Sequence, residues 1–134
     1  MRTFMLLVLT TVAVTGLKHH KAGQNLLMEI MNDVDSHLKP SSTTNLNQFV
    51  KDAFPPVSCT EKHLCQAAMV MMNTQLNHSM LHRRLFAYAD YSGHRHCNVT
   101  ATEEHRMDAF LKKIKDCCKE QYSKLLMLNK TQPN

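Results

Sequence analysis

The side chains of this sequence best suited to chemistry are its nine histidines and five cysteines. They crowd most closely at His94-Arg95-His96-Cys97. Zinc takes three or four ligands at fixed spacing, and a His-x-His beside a cysteine better used in a bridge falls short of that. No metal and no cofactor are therefore expected. The adjacent pair Cys117-Cys118 raises a second chemistry, that of secreted lipid hydrolases. Such an enzyme needs a His-Asp general base soon after the pair and a glycine-rich calcium loop before it. Here Lys119-Glu120-Gln121-Tyr122 follows and no such loop precedes. A ribonuclease site needs two histidines and a lysine in one cleft on a largely β framework, and strand signals here are weak. No enzyme is expected.

The cysteines make better sense as staples. Arg2 supplies a positive start, Phe4 to Val14 is an apolar run of 11 residues, and Gly16 is a small residue where a signal peptidase could cut. That is the layout of a secretory signal peptide, residues 1–16, and the run is too short to span a bilayer. The domain would then be residues 17–134, secreted and free in solution, at a size where cross-links help a modest core. In an oxidising compartment Cys59, Cys65, Cys97, Cys117 and Cys118 pair by default, and the odd count leaves one thiol free, capped or joined to a second chain. Cys117 and Cys118 point about 100° apart on a helix, so they reach different places. Three N-glycosylation triplets start at Asn77, Asn98 and Asn129.

Net charge is +5, from 16 Lys and Arg against 11 Asp and Glu. That suits acidic partners, receptor surfaces and sulfated glycans among them. Nucleic acid is not expected, because the basic residues are spread out and aromatics make up only 6%.

The elements that would position these residues are helices. Leu26, Leu27, Ile30, Met31, Val34 and Leu38 recur at helical spacing and form one apolar stripe, which Pro40 ends. A long polar connection follows. Its Leu46, Phe49, Val50 and Phe54 should tuck against the bundle, in a short strand or a helical turn, before Pro55-Pro56 closes it. Ser58 with Glu61 has the spacing of a capping box opening a second helix, apolar nearly all round from Leu64 to Met72. A break at Asn77 to Ser79 separates it from the stripe Leu81, Leu85, Tyr88 and Ala89, which stops before Gly93. One long helix from Cys59 to Tyr91 is the alternative. Thr100 with Glu103 suggests a second capping box for a last helix. Its inward side would be Met107, Phe110, Leu111, Ile114, Cys118, Leu125 and Met127, with Lys112, Lys113, Lys115 and Lys119 largely outward. Four amphipathic helices with long connections imply an all-α bundle with at least one overhand crossover.

The stretches Thr60-Glu61-Lys62-His63-Leu64-Cys65-Gln66-Ala67-Ala68, Phe110-Leu111-Lys112-Lys113-Ile114-Lys115 and Glu120-Gln121-Tyr122-Ser123-Lys124, with Leu27-Met28-Glu29-Ile30-Met31 before them, resemble the interleukin-4 and interleukin-13 family of short-chain four-helix cytokines. The resemblance runs in order through much of the chain after residue 16. It implies an up-up-down-down bundle with short β pieces in the crossovers, a monomer that assembles two different cell-surface receptor chains by separate faces. Glu29, with Arg83 or Arg84, would meet the first chain; Met31, Asp35, Lys119 and Tyr122 would meet the second. The family's bridge from the second helix to the last loop would join Cys65 to Cys97. Cys59, Cys117 and Cys118 depart from the family's pattern, so their pairing stays open.

A different class of protein is the alternative: a secreted basic amphipathic helix that acts on membranes in the antimicrobial manner, carried by Glu103 to Lys124. The family reading has no use for membrane insertion. Produced in a secretory host, the protein should carry sugar on at least one of Asn77, Asn98 and Asn129, with Asn98 the foremost; mass spectrometry finding all three bare would refute this.

Overall fold

The chain folds, in a computed structural model, into four helices and one small two-stranded sheet. Backbone is described over residues 2–55 and 58–131, and side chains over 20–55 and 58–128. The elements are α1 (Arg2–Leu38), β1 (Phe49–Lys51), α2 (Glu61–Met71), α3 (Met80–Tyr91), β2 (Glu104–Arg106) and α4 (Met107–Thr131). Side chains of the expected signal segment 1–16, and of Asn129, lie outside the described residues, as does Pro56. No described helix is long and apolar enough to cross a membrane.

One apolar stripe from each helix builds the core. Leu27, Ile30 and Val34 of α1 meet Leu64, Ala67, Ala68 and Met71 of α2, Leu81, Leu85 and Tyr88 of α3, and Phe110, Leu111 and Ile114 of α4, all fully buried. Burying each such large side chain contributes roughly 1.5–3 kcal/mol, which outweighs any intrinsic helix preference. Gly23 of α1 lies under the ring of Tyr91 at the end of α3, where an added Cβ would meet the ring's outer atoms. Glycine leaves the Tyr91 ring its place there, at a cost of about 1 kcal/mol inside a helix.

The break between α2 and α3 falls at residues 72–79, so the two-helix reading holds over the single long helix. His78, at φ 67°, turns the chain into the Ser79 cap, whose hydroxyl accepts from the His82 N–H at 3.2 Å. At the far end of α3, Gly93 takes φ 83°, and the His94 and Gly93 N–H groups reach back to the carbonyls of Ala89 and Asp90. That is the glycine-terminated helix end of the Schellman type.

Both expected capping boxes are displaced. Helix α2 starts at Glu61 behind Thr60, whose N–H donates to His63 Nδ1 at 2.8 Å. Ser58 stands too early because Cys59 is already taken: its N–H donates to Glu120 Oε2, its carbonyl accepts from Gln121 Nε2, and its sulfur bonds Cys117. Thr100 and Glu103 cap nothing. Residues 104–106 run as β2, antiparallel to β1 with Val50 opposite His105, and α4 begins only at Met107. The first N–H groups of α4 are satisfied by the preceding crossover, Met107 to the Gln48 carbonyl at 2.6 Å and Asp108 to that of Leu46 at 3.2 Å.

Two further expectations fail on orientation. Phe49 is 63% exposed, because strand alternation turns it and Lys51 outward while Val50 points in. Met127 is 67% exposed, since it lies two positions, about 200°, round the helix from buried Leu125. Leu46 and Phe54 do pack against the core.

Two disulfides staple the bundle: Cys59 to Cys117 and Cys65 to Cys97. Cys118 stays a buried free thiol, and burial pushes it up to about 12. Closing the 32-residue separation between Cys65 and Cys97 should contribute roughly 3–4 kcal/mol in chain-entropy terms. The double variant Cys65→Ser, Cys97→Ser is expected to lose about that much in denaturant titrations, and a non-reducing peptide map showing both sulfurs free in the parent protein would refute the pairing.

Candidate functional site

The residues singled out for binding fall on two edges of α1, and successive 100° steps decide which. Glu29 and Asp33, four apart, share the edge toward α3; Met28, Met31 and Asp35 share the edge toward α4. Each edge is tied to its neighbour by an ion pair.

On the first edge Arg84 of α3 is the pivot. Its Nη1 lies 2.7 Å from both carboxylate oxygens of Asp33, and its Nε lies 3.4 Å from Glu29 Oε2. The Asp33 side chain is mostly covered, Arg84 partly so, and Glu29 half open to solvent. The hydrogen bond to Asp33 holds the guanidinium more firmly protonated, with the Asp33 and Glu29 charges adding. Of the two arginines, then, Arg84 is the one joined to Glu29; Arg83 stands exposed beside it. Sequence reasoning missed Asp33, although its place four residues after Glu29 was a usable signal.

On the second edge Lys115 Nζ lies 2.7 Å from Asp35 Oδ1 and pins α4 to α1. Met31 and Tyr122 are half-buried and pack against the core, while Lys119 is exposed. On α4, Lys115, Lys119, Tyr122 and Leu126 follow one another at helical spacing, so they line a single edge. Met28 at 48% and Leu126 at 40% exposure add open apolar surface to these facing edges. The partner of Asp35 is thus Lys115, one turn before Lys119. Sequence reasoning had placed Lys115 only on the outward side.

Two polar joints hold the frame that presents these edges. Asp52, its side chain nearly buried, accepts from Lys113 Nζ at 2.7 Å and from the Phe54 N–H at 3.1 Å, and His105 Nε2 lies 3.0 Å away. Burial alone would raise its pKa; these partners outweigh burial and hold it below the usual carboxylate value. The second joint is His82 on α3, only 5% exposed. The His78 N–H donates to its Nδ1 at 3.1 Å, which leaves the proton on Nε2 to donate to the Ala68 carbonyl of α2 at 3.1 Å. Phe86 packs edge-on against the ring at 4.8 Å.

Of the sequons, Asn98 is exposed and Asn77 half-buried. The His94–Cys97 group is otherwise engaged: Cys97 bonds Cys65, and His94 Nε2 faces Glu61 Oε2 at 3.6 Å. Among the described residues no three His, Cys, Asp or Glu are grouped to hold a metal ion. Comparison with protein families, with characterised proteins and with solved structures finds no match.

The His82 joint gives the fold an acid dependence. Burial lowers its pKa from the ordinary 6.5, the Ala68 bond opposing and His78 assisting. Above that ordinary value its contribution is intact; as pH falls toward the lowered native value the unfolded chain takes the proton more readily and stability drops. Thermal melts should be flat down to about pH 6.5 and then decline. His82→Gln should cost about 1–3 kcal/mol at neutral pH and flatten that decline; an unchanged slope in the variant would refute the assignment.

Proposed function

We propose that the chain is a secreted type-2 cytokine, interleukin-4/13-like, that signals by bringing two different receptor chains together through the two edges of α1. The observation that carries this reading is their contrast. The α3-side edge offers ion-pairing groups, Glu29 and Arg83 around the Arg84–Asp33 pair. The α4-side edge offers Met28, Met31, Tyr122 and Leu126 beside Lys119. Apolar and aromatic area is the composition of an interface centre, and edges on the two sides of α1 allow two partners to be held at once.

The same reading takes the bundle as up-up-down-down. In its support, contacts between α1 and α3 run in opposite directions, Gly23 against Tyr91 and Asp33 against Arg84. Helix α2 runs against α3 likewise: Ala68 meets His82 near the start of α3, and Cys65, earlier in α2, is bridged to Cys97 in the loop beyond the end of α3. The antiparallel pairing of β1 with β2 draws the two crossovers side by side. The membrane-active alternative finds most of the α4 apolar stripe, Met107 to Leu125, spent in the core, with Leu126, Met127 and Leu128 left exposed.

Tyr122→Asp should leave the first receptor contact nearly intact while abolishing the cell response. Glu29→Ala should weaken the first contact by roughly 2 kcal/mol where its charge pair becomes desolvated. Binding titrations on receptor ectodomains and a phosphorylation readout in responsive cells separate these outcomes. Normal signalling by Tyr122→Asp, or both substitutions weakening one and the same contact, would overturn the two-edge reading; permeabilisation of anionic vesicles without receptor binding would favour the alternative.

A further inference from the structure

One end of the bundle gathers imidazoles and cations from several segments. Tyr91, at the end of α3, lies against Gly23 of α1, which puts His20 and Lys21 at that end. The contact of His94 with Glu61 and the Cys65–Cys97 bridge bring the loop after α3 onto the start of α2. Lys62 and His63 of α2 and Arg95 and His96 of the loop therefore join the same end. Lys21, Lys62, Arg95 and His96 are exposed. None of the exposed large apolar side chains belongs to these segments.

The described carboxylates of these segments are Glu61 and Asp90, and both are engaged. Glu61 pairs with His94, and Asp90 with Arg95. Tyr91 stays neutral, because burial and the nearby Glu61 raise its pKa. With neutral imidazoles, the described residues of these segments set Lys21, Lys62 and Arg95 against Glu61 and Asp90, which leaves little net charge. Acid changes the balance, because histidine is the side chain that gains charge between neutral and mildly acidic pH. Burial and the nearby Lys62 disfavour a proton on His63.

We propose that this end binds sulfated polysaccharide, and that binding tightens as the medium becomes acidic. Sulfate esters keep their charge at every physiological pH, so acidification strengthens only the protein's side of the match. The disulfide holds the loop, so its cations need no ordering on binding, which favours an extended polyanion over a partner needing induced fit. The inference is independent of the two receptor edges.

Heparin is the probe, titrated against the full protein in chelator at about pH 7.5 and about pH 5.5, with helix content checked by circular dichroism at both. Affinity should rise about tenfold at the lower pH and fall steeply with added salt. His94→Gln with His96→Gln should remove most of that gain yet leave binding near neutrality little changed, whereas Lys62→Gln should weaken binding at both values. Equal affinity at the two pH values would overturn the proposal, as would a gain that survives the histidine pair's removal. Equally tight binding of desulfated heparin or of phosphatidylserine vesicles would also overturn it. A protein that shows the heparin gain but recruits no receptor leaves this inference standing and removes the cytokine reading; the reverse result does the opposite.

Discussion

The start of α2 is tied to α4 through Cys59, two residues before the helix, and the arrangement of the remaining elements depends on that joint. Cys59 is held by α4 three ways at once, through its sulfur, its N–H and its carbonyl. Gln121, which supplies one of those bonds, is itself almost fully buried. An amide placed there without the Cys59 carbonyl would be an unsatisfied polar group, costing about 1–3 kcal/mol. The start of α2 is therefore fixed in register against the middle of α4. With α2 placed, the His82 bond to Ala68 and the Cys65–Cys97 bridge place α3, and α3 in turn carries Arg84 to α1.

How far this was legible from residue order follows from what each element rests on. The four apolar stripes could be read because burial on one side of a helix leaves a periodic trace, and Leu27, Ile30, Val34, Leu81, Leu85 and Tyr88 all sit where that trace puts them. Element boundaries were harder, since competing bonds decide them. Glu104-His105-Arg106 has no strand character of its own; it is extended because Phe49–Lys51 lies beside it. Thr60 caps α2 through a histidine, outside the usual Ser/Thr–Glu/Gln pattern, and the better-looking Ser58 loses to the Cys59 joint. The free partner of the cysteine set, Cys118, could not be told from Cys117 by spacing alone.

Within the candidate edges, type was easier to read than partnership. Glu29 and Asp35 stood out as helix-surface acids, but their spouses Arg84 and Lys115 come from helices far along the chain. Which cation of a neighbouring pair does the work depends on rotation about α3 and α4. A turn of 100° separates Arg84, laid across α1, from Arg83, left in solvent.

Cys118 adds a consequence for how the molecule matures. Thiol–disulfide exchange proceeds through the thiolate, and a sulfur pushed up to about 12 and fully enclosed has almost none near neutrality. In the unfolded chain, by contrast, Cys117 and Cys118 are neighbours with equal claim on Cys59, so oxidation before packing yields isomers. Core formation thus acts as the proofreader: Cys118 becomes inaccessible only in the isomer whose helices have closed correctly, and that isomer alone drops out of further shuffling.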